Sequence, residues 1–167
     1  MSRAFAVIAV AVSCAWMAVH AFPNGSPICD ATYDAIKEMS TPDKNVNPKP
    51  WAIAATKKNG GLEIRIVPHK GSPSYTGFLL YVVNAKNEHV GTFELTDFAK
   101  AVTNENCNDG STITQVNSDS KTKDTRFLWH GPPGPSKEQL RIKGAVVVEL
   151  QEWYILDDRK IEWQPAK

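Results

Sequence analysis

Cysteine is scarce in this chain, with 3 among 167 residues, and Cys14 lies inside an apolar N-terminal run. That leaves Cys29 and Cys107, too few for a CxxC redox pair or a cysteine-rich zinc site. Net charge is nearly missing too: 19 Lys plus Arg stand against 18 Asp plus Glu, and without Arg3 the balance is even. Such a chain is not a cationic membrane-lytic peptide. It also lacks the basic footprint with which nucleic-acid binders displace counterions from phosphates, so no nucleic-acid partner is expected. Beyond the N-terminus no stretch approaches the roughly 20 apolar residues a membrane span needs. Catalytic signatures are absent as well. His69, His89 and His130 are isolated, with no HExxH or GxSxG context, and Gly131 to Pro135 lacks the lysine and hydroxyl of a phosphate-binding loop. Asp157 and Asp158 are adjacent, so in a strand they point to opposite faces and make no acid/base couple; Asp157-Asp158-Arg159 reads more simply as a turn. No enzyme class, cofactor or metal is indicated.

What is present begins with an export signal over residues 1–21. Arg3 supplies a positive start, Ala4 to Val12 an uncharged apolar core, and Val19, His20 and Ala21 a cleavage site with small side chains at the two positions a signal peptidase reads. The mature chain is expected to begin near Phe22 and to be secreted and extracellular. In an oxidising compartment Cys29 and Cys107 most simply form one disulfide; an intermolecular bridge or two free thiols are the alternatives. The pair is 78 positions apart (107 less 29), for which the chain-entropy account gives about 4–5 kcal/mol.

Residues 22–167 suit one domain, with no repeat and no second composition regime. Phe22 to Pro50 carries five prolines and reads as an extended arm, with a short helix over Asp30 to Met39. From Trp51 the periodicity is that of strands. Leu62, Ile64 and Ile66 alternate with Glu63 and Arg65 after the Asn59-Gly60-Gly61 turn, and Trp51 to Ala55 is the hairpin partner. Gly77 to Val83 is an apolar run fit for a central strand covered on both sides. Further strands are expected at Val90 to Leu95, with Gly91, Phe93 and Leu95 on one face, and at Ser111 to Val116, Thr125 to His130, Leu140 to Leu150 and Trp153 to Leu156. A helical turn capped by Thr96 or Asp97 is expected to run through Ala101, ahead of the polar stretch that carries Cys107. Seven or so short strands imply an all-β, antiparallel sandwich.

The mature start Phe22-Pro23-Asn24-Gly25-Ser26-Pro27 before Cys29, then Gly77-Phe78-Leu79-Leu80, Val90-Gly91-Thr92-Phe93, Cys107, Phe127-Leu128-Trp129 ahead of Pro132-Pro133, and Val146-Val147-Val148 before Trp153 resemble a reeler domain. Six pieces in this order make the resemblance specific. It implies an immunoglobulin-like β-sandwich over residues 22–167, its core roughly 27–157, with an irregular disulfide-tied N-terminal arm. A secreted chain made of one such domain is most similar to the insect putative defence proteins of the nodulation-mediating type. Many members carry a histidine shortly after the first cysteine and another in a Val-Thr-His stretch; here the two regions read Ala31-Thr32-Tyr33-Asp34-Ala35-Ile36 and Ile113-Thr114-Gln115, with neither histidine.

The resemblance implies a non-enzymatic protein of innate immunity whose partners are microbial surface components (lipopolysaccharide, lipoteichoic acid, β-glucan) or host haemocytes, with antimicrobial or nodulation-promoting roles. The alternative is an extracellular matrix or adhesion module binding glycosaminoglycan, since reeler domains occur in larger matrix proteins. Clustering of Lys57, Lys58, Arg65 and Lys70 on one face favours the alternative; their dispersal favours the first. A carrier of small apolar ligands is a third reading, and it requires an internal cavity. Two other basic groupings, Arg65-His69-Lys70 and Lys121-Lys123-Arg126, read as solvated surface. Asn24-Gly25-Ser26 is the one glycosylation sequon, with Pro27 directly after it. Trp51, Trp129 and Trp153 read as core, and Trp163 as a last element packing on the sheet.

Overall fold

Alternation of apolar and polar side chains folds residues 51–68 into a hairpin. In the computed structural model β1 (Trp51–Lys58) and β2 (Gly61–Pro68) pair antiparallel from Trp51↔Pro68 to Lys58↔Gly61. Gly60 turns the chain between them at φ 79°, a left-handed conformation that glycine adopts without steric cost. The structure describes residues 22, 24–37, 49–58, 60–69, 74–107, 109–133, 137–149 and 152–164. The expected signal over 1–21, the helix end at Met39 and Lys70 lie outside them.

Ten further strands follow: β3 (Ser74–Tyr75), β4 (Gly77–Val83), β5 (Thr92–Phe93), β6 (Ala99–Ala101), β7 (Thr112–Gln115), β8 (Lys121–Thr122), β9 (Phe127–His130), β10 (Glu138–Glu149), β11 (Glu152–Ile155) and β12 (Arg159–Trp163). One sheet has the order β1-β2-β9-β5; the larger has β11-β10-β4-β7-β6, with β12 also on β10; β3 and β8 form a small pair. Every pairing is antiparallel. The two main sheets pack face to face. Ile64, Ile66, Phe127 and Trp129 of the smaller sheet meet Phe78, Leu80, Ile113, Leu140 and Ile142 of the larger in one apolar core. This is the β-sandwich expected from the strand pattern.

β4 is buried along its whole length because the larger sheet is covered on both faces. Its even-numbered residues enter the core between the sheets, whereas Leu79, Tyr81 and Val83 join Val102, Ala145 and Trp153 in a second apolar layer on the outer side. The N-terminal arm closes that layer with Ala31 and Ile36, and Ile28 packs against it. A short helix, α1 (Tyr33–Lys37), presents Ile36 inward, and the Thr32 hydroxyl accepts the Ala35 N–H at 3.3 Å as its cap. Cys29 and Cys107 are joined in a disulfide with Cα atoms 5.7 Å apart, fastening the arm to the loop between β6 and β7.

Several elements differ from the sequence reading. Residues 99–101 form strand β6 on β7, Ala99 opposite Gln115, where a helical turn is expected. In place of a helix cap, Thr96 and Ala99 exchange backbone hydrogen bonds across a tight turn, Thr96 N–H to the Ala99 carbonyl at 2.9 Å and Ala99 N–H to the Thr96 carbonyl at 3.3 Å, and the β7 edge captures the residues that follow. The strand over Val90 to Leu95 shrinks to Thr92–Phe93, and Leu95, 58% exposed, does not share the buried side of Phe93. Trp163 packs on the sheet as expected, buried at the end of β12, which pairs along β10; the core therefore runs past residue 157, the limit expected for it. Arg159 therefore begins a strand and does not close a turn.

Candidate functional site

The two outer faces of the sandwich differ. The arm and the disulfide cover the apolar part of the larger sheet's face, whereas on the smaller sheet every outward residue of β1, β2, β9 and β5 except Gly61 keeps solvent contact. Strand alternation selects which side chains stand on that open face. Leu62, Ile64 and Ile66 point inward, so Glu63, Arg65 and Val67 point outward; Phe127 and Trp129 point inward, so Leu128 and His130 point outward.

Register then sets neighbours across the strands. Lys58 lies opposite Gly61, whose Cα position places a notional Cβ 3.4 Å from the His130 Nδ1, and His130 lies opposite Thr92. In the next row Thr56 faces Glu63 and Glu63 faces Leu128. Glu63 is the hub. Its carboxylate accepts the Lys58 ammonium at 2.9 Å, and the Arg126 guanidinium stands 3.7 Å away. The Lys58 hydrogen bond, with the fields of Lys58, Arg126 and Arg65, holds the Glu63 pKa below the usual glutamate value against some desolvation. Lys58 and Arg126 remain 49% and 59% exposed, so both can reach a ligand while leaning on this carboxylate. At the other margin His130 Nε2 meets Glu94 Oε1 at 2.7 Å. Three fixed cations and two carboxylates thus share the face with one imidazole.

Of the four residues read as a basic cluster, Lys58 and Arg65 stand together here. Lys57, opposite the inward Leu62, projects from the inward side of β1 where the core has ended, and so does not join them. The second grouping disperses. Lys121 is buried, Lys123 pairs with its neighbour Asp124 at 3.1 Å, and Arg126 alone belongs to the open face. Arg126 and His130 escape a reading by local charge runs because register, not sequence proximity, brings β9 beside β2; Glu63 reads in sequence only as one polar residue of an alternating strand. Asn24 sits exposed in a turn of the arm, and the next two residues are held down: Ser26 N–H donates to the Thr114 hydroxyl at 2.8 Å.

Lys121 is 4% exposed, and its ammonium donates to the carbonyls of Thr76, Asn117 and Asp119 at 3.0, 2.8 and 2.7 Å. Burial lowers its pKa from the usual lysine value, with Asp119 opposing. The ammonium ties two loops together from inside and is not offered to solvent. His89 is likewise a structural tie. It lies parallel on the Tyr81 ring, centroids 4.8 Å apart, and bridges Thr112 Oγ1 at 2.8 Å to Asp30 Oδ1 at 3.0 Å. The carboxylate, imidazole and hydroxyl follow the order of a hydrolase triad, but Thr112 is fully buried, so no acyl group reaches that oxygen. The Tyr81 hydroxyl next to them accepts the Ala31 N–H at 3.0 Å, adding another tie to the arm.

Among curated proteins no sequence matches the chain. Solved structures do. The Reelin-N domain of F-spondin aligns with a TM-score of 0.57 at 16% identity, covering 77% of this chain and 95% of that one. A human F-spondin reeler domain aligns at 0.54 and 18% identity, covering 75% and 95%. At such identities the likeness establishes the fold. Family membership rests on the sequence itself, which matches the reeler domain over residues 30–166. The disulfide-tied sandwich is therefore a reeler domain, and this chain belongs to the reeler family.

Proposed function

We propose that the chain is an exported, non-enzymatic recognition module that binds anionic polysaccharide of the extracellular matrix through the open face of its smaller sheet. The observation that carries this reading is the placement of Lys58, Arg65 and Arg126 around Glu63 on a sheet face with no covering segment among the described residues. On the larger sheet Arg141 donates to Asn87 Oδ1 at 2.7 Å and both Arg141 and Lys143 lean on Asp158, so its central strand offers no such group of cations, although Arg159 and Lys160 of β12 are exposed. An open strand face with spaced cations suits a repeating polymer better than a compact small molecule, because successive sulfates can meet successive side chains.

The defence role implied by the reeler resemblance draws on related chemistry, since lipopolysaccharide and lipoteichoic acid also carry phosphates. The test therefore compares ligands. The oxidised chain, residues 22–167, is passed over heparin, lipopolysaccharide, lipoteichoic acid and β-glucan beads at low and physiological salt. Retention on heparin that falls with salt and disappears in the Lys58→Ala/Arg65→Ala/Arg126→Ala variant supports the proposal. Retention on neutral β-glucan, or on microbial polymer with no loss in the triple variant, overturns it and favours microbial recognition elsewhere on the molecule.

A further inference from the structure

The polysaccharide face contains its own proton-sensitive element. His130 occupies the same outward row as Lys58, separated from it only by Gly61, whose missing side chain leaves the space between them open. A side chain at Gly61 cannot fill that space without displacing backbone, because a Cβ there falls 2.4 Å from the Trp129 carbonyl oxygen. His130 also holds Glu94, one of the two carboxylates that oppose an anionic ligand on this face. We infer that protonation of His130 switches this face from weak to strong attraction for sulfated polysaccharide, so that binding tightens on mild acidification. The inference rests on the proposed ligand class and adds its regulation.

The charge inventory gives the direction. With His130 neutral, Lys58, Arg65 and Arg126 are opposed by Glu63 and Glu94, a balance of one positive charge. Protonation doubles that balance and turns the His130–Glu94 hydrogen bond into an ion pair, so that Glu94 opposes an anionic ligand less. The groups facing His130 are Thr92 from β5 and Glu94 directly after it, Gly61 and Glu63 from β2, and Lys58 from β1. Glu63 does not counteract the switch in this range, because its neighbouring cations keep it ionised to lower pH than an ordinary glutamate. Sulfate esters stay anionic throughout, so a change between pH 7.5 and 5.5, where imidazoles exchange their proton, originates in the protein. His69 also follows the outward alternation of β2, but eight residues from Gly61, roughly 26 Å along the strand. His89 lies between the arm and β7.

One added cation beside a polyanionic surface tightens binding roughly five-fold. The test measures heparin affinity of the oxidised chain at pH 7.5 and 5.5, at fixed salt, for wild type, His130→Asn, His130→Lys and His69→Asn, with circular dichroism at both pH values as the fold control. Expected are a roughly five-fold tightening for wild type and His69→Asn, no pH dependence for His130→Asn, and tight binding at both pH values for His130→Lys. A His130→Asn variant that keeps the wild-type pH response, or a His69→Asn variant that loses it, overturns the assignment to His130. Wild type that binds equally at both pH values overturns the switch and leaves the ligand reading standing; wild type that binds at neither overturns both.

Discussion

Replacing both cysteines, Cys29→Ser with Cys107→Ser, tests how the arm is held. The bridge closes a loop with a sequence separation of 78, and the chain-entropy relation converts that into about 4.5 kcal/mol lost at 25 °C. The arm nevertheless has other ties in the folded state. Ala31 N–H donates to Tyr81, Ser26 N–H to Thr114, Asp30 meets His89, and the Gln115 side-chain amide donates to the Phe22 carbonyl at 3.1 Å. Ile36 and Ala31 remain packed on the larger sheet. The double variant is therefore expected to fold, with its stability lowered by about 4 kcal/mol and its Tm by roughly 8–16 °C for a domain of this size. Urea unfolding followed by tryptophan emission reads the loss, and hydrogen exchange at Ala31 shows whether the arm opens before the sheets. A loss below about 1 kcal/mol would mean that the arm's contacts already restrain the unfolded chain, or that the bridge is not formed in solution. Failure to fold at all would mean that the arm is needed for the core to assemble, which contradicts the two-layer description.

Three further outcomes follow from the interior. Lys121→Met leaves the Thr76, Asn117 and Asp119 carbonyls without their ammonium, so urea unfolding should show a loss of about 2–4 kcal/mol; a change under 0.5 kcal/mol would show that water replaces the ammonium at no cost. Gly91→Ala forces an L residue to φ 70° with its Cβ 2.4 Å from the His130 carbonyl oxygen and 2.5 Å from the Trp129 ring, which should destabilise by about 3 kcal/mol and detach β5; a fully stable variant with unchanged tryptophan emission would contradict this packing. Burial pushes the Tyr81 hydroxyl up to about 12, with Asp30 and Asp158 adding to the rise and the Ala31 hydrogen bond opposing it, and burial with the Glu152 contact takes Tyr154 to about 12. Both values lie above the unfolded tyrosine value, so the stability they contribute is intact below pH 10 and is lost as pH rises towards 12; absorbance at 295 nm should show these two hydroxyls ionising late, and ionisation at pH 10 would refute their burial.

The sandwich was legible because its carriers are repetitive. Alternation in Leu62 to Ile66 and the unbroken run Gly77 to Val83 report one-sided and two-sided burial directly, and the structure places both segments accordingly. Short strands were less legible. β5 and β6 have two and three residues, too few for a period to declare itself, and the edge of β7 supplies the reason residues 99–101 extend when local capping residues suggest a turn of helix. β12 was partly legible: Trp163 marks a last element packing on the sheet, while the polar residues around it leave the strand's extent to its pairing with β10. For the candidate site, Lys58 and Arg65 were readable because they share a hairpin. Arg126, His130 and Glu94 were not, since the β2–β9 and β9–β5 pairings join residues far apart in the chain. Lys57 and Lys58 are separated by local alternation instead: adjacent in sequence, they project from opposite sides of β1.

The most direct test of the open face as the ligand surface is amide and side-chain chemical-shift mapping of the oxidised chain titrated with a defined heparin oligosaccharide. Perturbations centred on Lys58, Glu63, Arg65, Arg126 and His130, with the Arg141, Lys143 and α1 signals unmoved, are the predicted result. Perturbations confined to the larger sheet or the arm, with the β2 and β9 signals unchanged at saturation, would contradict it.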